Sequence, residues 1–145
     1  MAQASFATGG PTPLATPANV PVDYQPGVCN IGPAEIARRR RAGHIGLVAA
    51  VVLFAVLVVI DAPPVARLLV AVPAIMSASG YLQAHLKFCA GFGSRGILNF
   101  GEVGTTVQVQ DAAARALDKA RANRIGLASV AIGVLVGIVA AILPI

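Results

Sequence analysis

The stretch GHIGLVAAVVLFAVLVVI, residues 43–60, decides the fold. It carries no formal charge, and a helix of this length comes close to crossing the ~30 Å hydrocarbon core of a bilayer at 1.5 Å per residue. Two further segments share its character: VARLLVAVPAIMSASGYLQ at 65–83 and IGLASVAIGVLVGIVAAILPI at 125–145. The expectation is an all-α membrane protein with three transmembrane helices in a single domain, residues 29–145. A loop and helix at 84–124 join the second span to the third.

Composition agrees with that solvent. Of the 145 residues, 57% are hydrophobic and 12% are charged, and the mean hydropathy is +0.78. A soluble domain carries about 25% charged residues. The net charge of +5 does not imply nucleic acid as a partner, because the basic residues lie in short segments beside the spans. They also set an orientation. Arg38, Arg39, Arg40, Arg41, Lys87, Arg95, Arg115, Lys119, Arg121 and Arg124 fall on one side, and only Arg67 on the other. By the positive-inside rule the N-terminus and the 84–124 segment are cytoplasmic, and the C-terminus is outside. The implied location is the plasma membrane, crossed several times. Residues 1–28 are rich in Pro, Ala, Thr and Gly and lack the basic and apolar regions of a signal peptide, so they read as a disordered tail.

Pro33 and Glu35 suit the first turn of a helix that continues into the first span. Arg38 to Arg41 then lie at lipid-headgroup depth as an anchor. Pro63 and Pro64 make the first two spans a tight antiparallel hairpin, and Pro73 should break the hydrogen-bond ladder of the second. The segment AGFGSRG at 90–96 lacks the ending of a phosphate-binding loop. It reads as a flexible interfacial loop, with Phe88, Phe92 and Phe100 dipping into the headgroups. From 108 the chain returns to helix, with Asp111/Arg115 and Asp118/Arg121 as supporting pairs. In the third span Ser129, Gly133, Gly137 and Ala141 form a small-residue ridge. It suits packing within the bundle, a homo-oligomer or a larger membrane complex.

Chemistry has few places to sit. No span holds an ionisable residue near its centre, where ion pathways and proton relays usually lie. Cys29 precedes the first span and Cys89 follows the second, so both thiols reach the same membrane surface. His44 and His85 lie at the same level. Cysteine and histidine ligands together suit a metal ion, and two thiols alone suit redox exchange. The plainer reading is two inert cysteines and two interfacial histidines, with no cofactor.

Cys29-Asn30-Ile31-Gly32, and Gly80-Tyr81-Leu82-Gln83 with Cys89, resemble a group of small bacterial membrane proteins of unassigned function, with Gly96, Asn99 and Glu102 completing the pattern. The resemblance spans 29–102. It includes neither histidine, which favours a cysteine pair over a four-ligand metal site, and it brings no activity with it. The function expected is that of a structural or accessory subunit of a membrane complex. The alternative is a thiol-redox or metal-handling protein.

Overall fold

The structure is a computed structural model and describes residues 20–145. Three helices in it are long and apolar enough to cross a membrane: Pro33–Val59, the broken helix Pro64–His85, and Ala112–Ile142. Helix α1 (Pro33–Val59) has Gly32 as N-cap, Pro33 in its first turn and Glu35 just behind. It stops at Asp61, whose φ of 50° is left-handed. The Ala62 N–H bonds the Leu57 carbonyl at 2.9 Å and the Asp61 N–H bonds the Val58 carbonyl at 3.1 Å. This pair of reversed bonds satisfies carbonyls that a helix end leaves free. Leu57 and Ala62 pack together beneath it with Ala50, Val70 and Ala140.

The second span consists of α2 (Pro64–Arg67), a 3-10 turn at Leu68–Val70, and α3 (Ala71–His85). Pro73 explains the break. It has no N–H for the Leu69 carbonyl, and its ring crowds that same carbonyl, so the turn before it tightens. A short helix α4 (Ala90–Arg95) follows, then the two-residue strands β1 (Ile97–Leu98) and β2 (Val107–Gln108), and finally α5 (Ala112–Ile142). The strands pair antiparallel, Ile97 opposite Gln108 and Leu98 opposite Val107.

Helix α3 is the middle member and packs against both α1 and α5. In lipid there is little hydrophobic drive between helices, so close contact depends on small residues. A β-carbon at Gly46 would come within 2.5 Å of the Ser77 nitrogen, and one at Gly80 within 2.7 Å of the Arg39 carbonyl. On the other side of α3, Gly133 sits against the backbone of Ile75 and Gly137 against Ala71. The ridge on α5 is therefore occupied within the chain. Its buried row runs Ser129, Gly133, Gly137 and then Ala140, while Ala141 is half-buried. Gly43 and Gly46 on α1 and Gly80 on α3 make the matching contact on the opposite face of α3.

At the turn end of the bundle, Arg67 is buried and its guanidinium donates to the carbonyls of Leu143 and Ile145. At the opposite, basic end the chain is more structured than a flexible loop. Phe88 is fully buried with Ala122 and Ile125 rather than in the headgroups. Phe100 packs beside Leu98 and Val109. Helix α5 begins at Ala112 because Asp111 caps it, accepting from the Ala113 and Ala114 N–H groups at 3.0 and 3.3 Å. Neither expected ion pair of that helix forms among the described residues. Asp111 is used as the cap, and Asp118 turns inward.

Residues 1–19 of the expected tail lie outside the described residues. Residues 20–28 pack on α5, where Tyr24 and Gly27 bind Asp118.

Candidate functional site: a buried polar junction at the basic end

Where α1, the α3–α4 connection, the β1–β2 loop and the N-terminal segment meet, the structure buries Asn30, Glu35, Gln83, Cys89 and Asn99. Unpaired, each would lose hydration without return. Each is instead bonded to another segment.

Asn30 lies just before α1 and clamps Cys89 from both sides. Its Nδ2 donates to the Cys89 carbonyl at 3.1 Å, and its Oδ1 accepts from the Cys89 N–H at 2.7 Å. Its own main chain joins Lys87 and Asn99. Asn99 binds the loop after β1 through Gly101, Glu102 and Thr105, and its Nδ2 reaches Glu35 Oε1 at 3.4 Å. Gln83, on the last turn of α3, accepts from the Ala90 N–H at 2.9 Å and so holds the start of α4.

Glu35 is fully buried and pairs with two arginines on its own helix, Arg38 at 3.5 Å and Arg39 at 3.7 Å. Arg39 then turns to the second half of the junction. Its Nη2 lies 3.0 Å from Cys89 Sγ, and its guanidinium carbon is 5.7 Å from the centre of the Phe92 ring. Cys89 is the N-cap of α4, with Sγ accepting from the Phe92 N–H at 3.4 Å. Glu35, Arg39 and Cys89 thus form a continuous row from α1 to α4.

Cys29 shares this end of the molecule, adjacent in sequence to the clamping Asn30. Its thiol is half-buried and directed at the Asp23 carbonyl, 3.0 Å away. Both cysteines are free. The histidines are elsewhere. His44 Nδ1 is 2.6 Å from the Tyr81 hydroxyl, and His85 is exposed at the end of α3. Among the described residues, no three His, Cys, Asp or Glu side chains converge as metal ligands.

Asp118 completes the junction. Its Oδ2 accepts from the Tyr24 hydroxyl and its Oδ1 from the Gly27 N–H, each at 2.7 Å. Burial holds its carboxyl above the ordinary carboxylate range, although both hydrogen bonds pull it down. The Tyr24 phenol is raised above its usual value, first by burial and then by the hydrogen bond and negative charge of Asp118.

The sequence marks the cysteines but not the neighbours the fold gives them. Glu35 reads locally as a helix-end charge, and its spacing to Arg38 and Arg39, i+3 and i+4, is the sequence signal for a charge-paired acid. Nothing in the local pattern marks Asn30, Asn99 or Asp118 as buried, because their partners are distant in sequence.

Fold and site together define a helical protein with three candidate membrane spans and a polar fastening at one end. No protein-family model matches the sequence, and neither the curated proteins nor the solved structures contain a match.

Proposed function

We propose that this chain is a multi-pass protein of a bacterial inner membrane, N-terminus in the cytoplasm and C-terminus outside, acting as a non-enzymatic structural or accessory subunit of a larger membrane complex. The observation that carries this reading is how the polar side chains are used. Asn30, Gln83 and Asp118 each tie one segment to the backbone of another, and Asn99 holds its own loop while reaching the Glu35 carboxylate on α1, which rigidifies the basic end rather than presenting groups to a substrate. The outer faces of α1 and α5 meanwhile carry exposed Val, Leu and Ile, suited to lipid or to partner helices. Purification of the tagged full chain in mild detergent tests the reading. Recovery in a stoichiometric complex supports it, and recovery as a lone monomer from its native membrane, at native abundance, overturns it. Fusion reporters at the two termini test the orientation.

A thiol-based role is the second reading, favoured by the 3.0 Å contact of Arg39 with Cys89 Sγ. Mass analysis of the protein alkylated without reduction tests it. Two free thiols under both oxidising and reducing growth would end it.

A further inference from the structure

One cleft at the basic end is separate from the junction. It opens between α1 and α3 on one side of their glycine crossing, has a volume of about 410 Å³, and is lined by Arg40, Tyr81, Leu82, Ala84 and His85. Arg40 and His44 are one turn apart on α1, and Tyr81 and His85 are one turn apart on α3. The two helices therefore present a ladder of four polar side chains. The His44 and Tyr81 rings meet edge to face with centroids 5.2 Å apart, and His85 is exposed beyond them.

Arg40 is exposed, and no carboxylate among the described residues lies within ion-pair distance of it; Glu35 engages only Arg38 and Arg39. The 2.6 Å contact between Tyr81 Oη and His44 Nδ1 leaves one donor of the pair unused in either tautomer of the imidazole. If the phenol donates to Nδ1, the imidazole proton is on Nε2. If Nδ1–H donates to the phenol, the hydroxyl hydrogen is free. The cleft itself is lined by the Arg40 guanidinium, the Tyr81 hydroxyl and the His85 imidazole, with His44 beside them on α1, a set of groups that suits a phosphate.

Its surroundings select the source of that phosphate. The uncharged run of α1 begins at Gly43, so Arg40 and His44 straddle the boundary between headgroups and hydrocarbon. Continuing the row of Arg40 and His44, Val48 and Val52 are 61% and 55% exposed, a strip on which an acyl chain can lie directly beneath the cationic cleft.

We propose that the cleft between α1 and α3 binds the phosphate of an anionic glycerophospholipid, with Arg40 as the principal ligand, Tyr81, His44 and His85 as further donors, and the acyl chain along Val48 and Val52. Basic pockets between helices at this depth suit such headgroups. The inference rests on the membrane-spanning reading and turns the general arginine anchor into a site.

The chain contains two histidines, and both belong to this ladder, so their imidazole NMR signals report on it directly. The full chain in detergent is titrated with short-chain phosphatidylglycerol, phosphatidylcholine or inorganic phosphate. The proposal expects saturable shifts of both signals with phosphatidylglycerol only. Arg40→Gln should weaken that binding by about tenfold, and Arg124→Gln, at the same membrane surface on α5, should leave it unchanged. Equal weakening by both variants means diffuse surface attraction and overturns the proposal. So does an equal response to inorganic phosphate, or the absence of any response to phosphatidylglycerol. Flotation with phosphatidylcholine vesicles separates the two levels. A chain that does not float overturns the membrane reading itself, whereas one that floats without lipid-specific shifts overturns the site alone.

Discussion

Tyr24 and Asp118, 94 positions apart in the chain, share a 2.7 Å hydrogen bond that fastens the N-terminal segment to α5. The Gly27 N–H bonds the other carboxylate oxygen at the same distance. Removing the acceptor leaves two donors without partners in a site where Asp118 is fully buried. Asp118→Ala should cost about 2 kcal/mol, and Tyr24→Phe about 1 kcal/mol. Thermal unfolding in detergent measures both. Limited proteolysis should show residues 20–28 cut first in Asp118→Ala, and an uncut segment would contradict the fastening.

The same pair gives a pH dependence. The Tyr24 phenol is raised in the fold above its ordinary value of 10.0, so the folded chain keeps a proton that the unfolded chain releases. Stability must therefore fall as pH rises above about 10. For Asp118, raised above 3.8, the sign is the same. The fold favours the protonated carboxyl, and stability falls as pH climbs from the ordinary carboxylate value toward the folded one. Tyr81→Phe leaves Tyr24 as the only tyrosine, and ultraviolet titration should place its ionisation above 10. Adding Asp118→Asn should lower it.

Glu35 is the buried acid on which the arginines of the junction depend. Glu35→Ala strands Arg39 and takes an acceptor from Asn99, at a cost of about 3 kcal/mol. Because Arg39 retains some solvent contact and the Cys89 sulfur, the double variant Glu35→Ala/Arg39→Ala should be less destabilised than the sum of the singles. Additive losses in denaturant titration would count against the pairing.

The helix crossings separate two classes of glycine. At Gly46 an added methyl group meets the Ser77 nitrogen, whereas at Gly126 nothing lies within 4 Å. Gly46→Ala should destabilise by about 1–3 kcal/mol through overpacking, while Gly126→Ala should be neutral or gain up to about 1 kcal/mol in helix propensity. Unfolding by sodium dodecyl sulfate in mixed micelles compares them.

The thiols differ in access. Cys29 is half-buried and Cys89 is 2% exposed. Maleimide should label Cys89 at least about tenfold more slowly than Cys29, in keeping with an opening cost of about 1.4 kcal/mol or more. Equal rates in the folded protein would show that the Asn30 clamp does not close the site.

The three long helices were legible because lipid imposes a length and an absence of charge that any 20-residue window reveals. The start of α1 at Pro33 and the break ahead of Pro73 were legible because proline acts locally. The ridge of Ser129, Gly133 and Gly137 was readable as a contact surface, although its partner was not. Gly43, Gly46 and Gly80 form no legible ridge because they are irregularly spaced and divided between two helices. The junction was the least legible part. Asn30, Asn99 and Asp118 look like ordinary loop and surface residues until the chain brings their partners from as far as 94 positions away. Asp118 shows why local rules failed there: its spacing to Arg121 suggested a solvated pair, but its hydrogen bonds go to a segment on the far side of the sequence.

That α3 stands between α1 and α5 has a consequence for biogenesis. Helix α5 has no seat until α3 is in place beside α1, so the spans can assemble in the order in which they are synthesised. The N-terminal segment is the exception. Made first, it cannot engage Asp118 until the last helix has arrived. Protection of residues 20–28 is therefore a natural reporter that α5 has docked, and a chain stalled before α5 would leave that segment exposed to proteases.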